Sequence, residues 1–210
     1  MLKTCNYIHN QKPIIMSGKT KTLNDKLAGT FFDYSAWSFY PTKVLLSSEG
    51  GISSFSNEEE YEWAKQYANQ AKQRDNNIFN AKGYNLRISE FSACLMYAEI
   101  LHRQQVYEHR KKIRDTYISC GVPLLQTSID GLDSTCYKYT ILCTEEKKNK
   151  ILQNIKVTGY TQDFLLSYDR DYINALKFSK EHINLPYHRE MKIEEANKIG
   201  LEVSKILNQI

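Results

Sequence analysis

No apolar run in the 210-residue chain exceeds a few residues, far short of the roughly twenty needed to span a bilayer. The opening MLKTCNYIHNQKPIIMSGKTKTLN also lacks the continuous apolar region of a secretory signal. Nothing in the chain is expected to cross a membrane or direct export. The five cysteines, Cys5, Cys94, Cys120, Cys136 and Cys143, form no CxxC pair, and an odd count leaves one thiol over in any disulfide scheme. Reduced thiols in a cytoplasmic protein are the expectation. The five histidines are scattered, and no Cys/His cluster has the short ligand spacings of a zinc site. No bound metal is expected, and there is no internal repeat or low-complexity tract.

Acidic residues are missing from the first 24 positions, which hold Lys3, Lys12, Lys19 and Lys21. The rest of the chain balances at 24 basic against 24 acidic residues, so the formal charge of +4 sits at the N-terminal end. A basic arm is one way to touch a polyanion, but this segment has no arginine, and no nucleic-acid partner is expected.

What is present is a chain with 41% apolar residues, enough for one substantial core or two small ones. The aromatic and small residues of TFFDYSAWSFY predict one strand or two short ones, ended by Pro41. GISSFS at 51–56 predicts another strand, and Asn57 followed by Glu58, Glu59 and Glu60 predicts an N-capped helix running to about Lys72. A polar loop occupies 73–84. From Ile88, helical spacing of apolar residues predicts a helix near thirty residues long. The second half reads as a small α+β unit: a strand in CYKYTILC, a short helix in EEKKNKILQNI, a strand in IKVTGY, a helix from RDY through Ile183 to the Asn184-Leu185-Pro186 break, and a last amphipathic helix over 193–207. His182 and His188 read as surface histidines.

One stretch carries chemistry. In YSAWSFYPTKVLLSSEGG, Lys43 follows a probable strand end and precedes the Gly50-Gly51 turn, with Ser38 five residues before it; strand ends are where α/β folds bind ligands. Taken alone, Lys43 is an ordinary surface cation, Ser38 a strand serine and Asn85 a turn residue. Together, Trp37-Ser38-Phe39 to Lys43, Ser48-Glu49-Gly50-Gly51, Gly83-Tyr84-Asn85-Leu86-Arg87 with the long helix behind it, and Leu185-Pro186-Tyr187-His188 resemble, in their order, the DegT/DnrJ/EryC1/StrS family of pyridoxal-phosphate-dependent sugar aminotransferases.

The resemblance spans residues 27–210 and implies an α/β fold: an incomplete large domain of fold type I over 27–106, then a small α+β domain over 107–210, preceded by a divergent basic segment over 1–26. It implies that Lys43 forms the Schiff base with pyridoxal 5'-phosphate and moves the proton between cofactor and substrate. Ser38 would bind the cofactor phosphate, and Asn85 would reach the phosphate of a neighbouring subunit. Arg87 reads as structural and Glu49 as a turn residue. The implied reaction passes an amino group from glutamate or glutamine to a keto sugar nucleotide, in polysaccharide or amino-sugar biosynthesis, within a homodimer or together with a complementary N-terminal chain.

Three departures stand against that pattern. Phe32 and Ser48 replace glycines of the family's motifs. The aspartate that pairs with the pyridine nitrogen should fall near residues 8–18, where IHNQKPIIMSG offers no acid. A sheet lacking early strands would expose edges and apolar surface. The alternative expectation is therefore a non-catalytic remnant, serving at most as a dimerisation or interaction module.

Overall fold

Alternating small and aromatic residues form β1 (Tyr34–Ser38), which pairs antiparallel with β2 (Gly51–Phe55), Trp37 opposite Ile52 and Ser38 opposite Gly51. The computed structural model describes residues 32–72, 82–125, 137–157 and 173–209. They divide into two compact units, with the boundary between Gln104 and Gln105.

In the first unit, α1 (Glu58–Ala68) starts where the sequence predicts. The Asn57 side chain accepts the Glu60 N–H at 2.9 Å, and three glutamates occupy the positive end of the helix. It stops at Ala68, four residues before the expected Lys72. The reason lies in the later GYNLR segment. The N–H groups of Tyr84 and Leu86 donate to the carbonyls of Tyr67 and Ala68, both at 2.9 Å, replacing the helical donors that would have come from Ala71 and Lys72. Gln70 and Ala71 turn away with φ of 61° and 54°. Gly83 permits the close approach, since a Cβ there would run into the Ala71 backbone nitrogen. The helix that follows, α2 (Glu90–Ser119), has the thirty residues its periodicity predicts. Phe39, Leu45, Met96 and Ile100 form the buried cluster of this unit, with Ile52 packed against it.

The second unit takes in the remainder of α2. Its sheet pairs β3 (Tyr139–Leu142) antiparallel with β4 (His182–Leu185), Ile141 opposite Ile183. Around it are α3 (Glu145–Asn154), capped by Thr144, then α4 (Ile173–Glu181) and α5 (Ile193–Leu207). The helix expected to reach Ile183 ends at Glu181, because His182–Leu185 is a wholly buried strand. Pro186 disfavours helical backbone at Leu185, and β3 supplies the ladder partner a helix would forgo. Thr140 Oγ1 adds a 2.6 Å bond to Asn184 Oδ1. His182 is accordingly buried rather than on the surface: its ring stacks on Phe178 at 4.5 Å and its Nδ1 lies 2.7 Å from the Phe178 carbonyl. Of IKVTGY, residues 155–157 form no strand, and residues 158–160 lie outside the described residues.

Candidate active site

Lys43 sits on the loop from Phe39 to Gly50 that joins β1 to β2. The loop opens with a β-turn over Tyr40-Pro41-Thr42-Lys43, closed by the Lys43 N–H donating to the Tyr40 carbonyl at 2.9 Å. Pro41 occupies the turn position that its fixed φ favours. Phe39, fully buried, ties the base of the loop twice: its N–H donates to the Gly50 carbonyl at 2.9 Å and its carbonyl accepts the Ser47 N–H at 2.7 Å. Buried Leu45 anchors the far side, and Lys43 itself is half-buried. The tether of short bonds and apolar anchors holds the lysine backbone.

Ser38 ends β1 at the mouth of the same loop, exposed, with Oγ accepting the Tyr40 N–H at 3.2 Å. Tyr40 therefore links the two predicted residues through its backbone, one bond to Ser38 and one to Lys43. Asn85 stands on a separate segment: it is exposed, bridged through its backbone to Asn69, and its Oδ1 accepts from Arg87 Nε at 2.9 Å. Arg87 thus holds a neighbouring side chain. Glu49 and His188 are exposed.

Lys43 brings an amine and Ser38 a hydroxyl to the end of β1, the group types that pyridoxal phosphate requires at its carbonyl carbon and its phosphate. The one acid on this loop is Glu49, exposed before the Gly50 turn. The acid nearest before the loop, Asp33, directly precedes β1, about 17 Å of extended chain from Ser38. The segment 8–18 expected to hold an aspartate lies outside the described residues. A concavity of about 1010 Å³ lies elsewhere: Tyr34, Ser53, Phe55, Asn57, Glu60 and Trp63 are among its walls, and neither Ser38, Lys43 nor Asn85 lines it. Motif reading passed over Ser47, Ser89 and Ser92, whose hydroxyls converge behind the lysine loop; the Ser89-x-x-Ser92 spacing of a helix cap was the available signal.

No curated protein matches the chain in sequence. Among solved structures it is similar to a Streptococcus pneumoniae protein described as a sugar aminotransferase, in its PMP form, at TM-score 0.76 and 19% identity over 89% of this chain and 53% of that one. It is also similar to the aminotransferase TlmJ from Streptoalloteichus hindustanus (TM-score 0.76, 19% identity, 89% and 55% covered). Helicobacter pylori PseC, an aminotransferase involved in the biosynthesis of pseudoaminic acid, matches at TM-score 0.72 and 20% identity, with 90% and 56% covered. At these identities the likeness is one of fold, that of pyridoxal-phosphate-dependent aminotransferases, and the chain spans little more than half the length of these structures. The family description, DegT/DnrJ/EryC1/StrS aminotransferase, fits residues 18–204. With nearly the whole sequence matched and the lysine loop and GYNLR segment in place, the chain belongs to the DegT/DnrJ/EryC1/StrS aminotransferase family.

Proposed function

We propose that this chain supplies the lysine-bearing, C-terminal portion of a pyridoxal-phosphate-dependent sugar aminotransferase, with an incomplete large domain followed by a small α+β domain. The observation that carries this reading is the loop from Phe39 to Gly50, which holds Lys43 and Ser38 together through Tyr40. Bound there, pyridoxal phosphate supplies a ring that accepts electrons as a substrate carbon loses its proton. The chain's own part is to hold and to move protons. Lys43 Nζ would hold the cofactor and, when free as an amine, would take the proton from one carbon and return it to another. Ser38 Oγ donates to the phosphate, and Asn85 donates to that of a second subunit.

The amino acceptor in this reading is a keto sugar nucleotide and the donor glutamate or glutamine, in a cytoplasmic pathway of polysaccharide or amino-sugar biosynthesis. A second polypeptide, either another copy or one carrying the complementary N-terminal half, is supported by α2. Phe91, Leu95 and Leu101 are exposed on the side away from Met96 and Ile100, and a helix apolar on both sides needs cover on both.

Borohydride reduction in the presence of pyridoxal phosphate, followed by peptide mapping, should place the label on Lys43. No label on Lys43, with or without a complementary N-terminal chain, would sink the catalytic reading. A second reading, a non-catalytic remnant acting as an interaction module, draws its support from the complete lack of acidic residues before Asp25. That composition leaves no partner for the ring nitrogen in the segment where the family carries one.

A further inference from the structure

We propose that Ser92 is a positioning residue for Lys43, acting through a hydroxyl brace that ties the lysine loop to the first turn of α2. Four serines make the brace. Ser47, almost fully buried, donates its hydroxyl to the Ser92 carbonyl at 2.9 Å. Ser89 Oγ accepts the Ser92 N–H at 3.1 Å and donates to Ser92 Oγ at 2.9 Å. The Ser92 hydroxyl proton is then available to Ser48 Oγ, 2.6 Å away. Ser89 to Ser92 to Ser48 is thus a directed chain that joins two exposed serines through the nearly buried Ser92.

The brace enters the loop at two adjacent residues, just where it returns toward β2. Ser47 also gives its N–H to Phe39, so a shift of Ser47 moves the clasp that closes the loop. Two residues on, Gly50 has φ of +121°, and a Cβ there would meet the Ile88 side chain. The segment from Ile88 to Ser92 therefore meets one limb of the loop at Ser47, Ser48 and Gly50, while Lys43 lies on the other limb, secured by the turn at Tyr40. Ser48 stands where the family motif has a glycine. A side chain absent from the usual pattern has here a partner in Ser92, itself nearly buried, so loss of either hydroxyl loosens the same joint.

The proposal rests on Lys43 being the cofactor lysine, but its test separates the two. Amide hydrogen exchange needs no cofactor. In Ser92→Ala, and in the milder Ser48→Ala at an exposed position, exchange at the Lys43 and Ser47 amides should quicken roughly tenfold, with the Ile141 and Ile183 amides unchanged. The double variant should be no faster than Ser92→Ala alone, because Ser92→Ala already removes the bond that Ser48→Ala breaks. Ser92→Thr, which keeps the hydroxyl, should restore slow exchange. In parallel, pyridoxal-phosphate labelling of Lys43 should slow in Ser92→Ala and recover in Ser92→Thr. Wild-type exchange rates in both alanine variants, additive effects in the double variant, or equal loss in the threonine variant would overturn the brace. Absence of label in the wild-type chain would overturn the role of Lys43, and the exchange rates would still decide whether the brace holds its loop.

Discussion

Among the described residues, thirteen buried apolar side chains form one continuous cluster in the second unit, from Ile113 and Tyr117 on α2 to Val203 and Ile206 on α5, whereas four form the cluster of the first. The first unit also leaves Phe32, Trp63, Leu86, Phe91 and Leu101 more than half exposed. The contrast extends to polar groups. In the second unit the Tyr117 hydroxyl donates to the Pro186 carbonyl at 2.7 Å and that of Tyr139 to the Val122 carbonyl at 2.8 Å. Arg110 lies over the Tyr187 ring at 4.2 Å and donates to the Tyr137 carbonyl at 2.8 Å. These bonds satisfy polar atoms inside a core large enough to sustain them. The first unit relies on short local ties around the lysine loop and GYNLR, and keeps broad apolar surface in contact with solvent. Among the described residues, the unit richer in family motifs is the one with the smaller buried cluster.

Substitutions in the two cores give the largest separation. Phe39→Ala should remove about 4 kcal/mol from a cluster of four, enough to abolish exchange protection at Ser47 and Ile52 while the second unit keeps its own. Ile141→Ala should cost about 3 kcal/mol, read as a lower urea midpoint for the second unit with Lys43 and Ser47 exchange unaltered. Equal loss in both units from either change would break the comparison.

Alkaline pH should act on the second unit next. Burial first, then the charge of Glu195, hold the Tyr117 phenol above the usual tyrosine range. Its pKa is thus higher folded than unfolded, so its contribution is complete below about pH 10 and is lost as pH climbs through the folded value. Urea midpoints of the second unit should fall over that range, and Tyr117→Phe should flatten the fall. Helix caps should follow, one in each unit: Asn57→Ala and Thr144→Ala should each cost about 1 kcal/mol, the first read near Glu60 and the second near Lys147 by hydrogen exchange. The smallest change belongs to an exposed pair. Lys150, 2.9 Å from Glu146, holds that carboxyl below its usual range by hydrogen bond and charge. The pair contributes only above the ordinary carboxylate pKa and fades as pH falls through the lowered one. Lys150→Ala should return the Glu146 titration, followed by NMR, to the usual range without a measurable shift in urea midpoint.

Elements written in local patterns were legible beforehand. β1 and β2, the cap Asn57, the thirty residues of α2 and the limits of α5 follow from side-chain period, capping oxygens and turn residues within a few positions of each other. So did the place of Ser38 and Lys43 on one loop, because strand, Pro41 and paired glycines are contiguous. The end of α1 was not legible, since the donors that displace its last turn come from Tyr84 and Leu86, across a polar loop. Nor was β4, where a helix-compatible sequence becomes a strand through its ladder with Tyr139–Leu142.

The sequence by itself determined the family and, within a few residues, where the described helices begin, because those depend on residue identity and near neighbours. Only the tertiary structure decided that His182 is interior, that Arg110 lies over Tyr187, and that Ser48 meets Ser92. The last two join groups more than forty residues apart, and His182, although its imidazole bonds the nearby Phe178 carbonyl, is interior because its strand pairs with Tyr139–Leu142; a buried polar group is settled by whichever partner can replace its lost water.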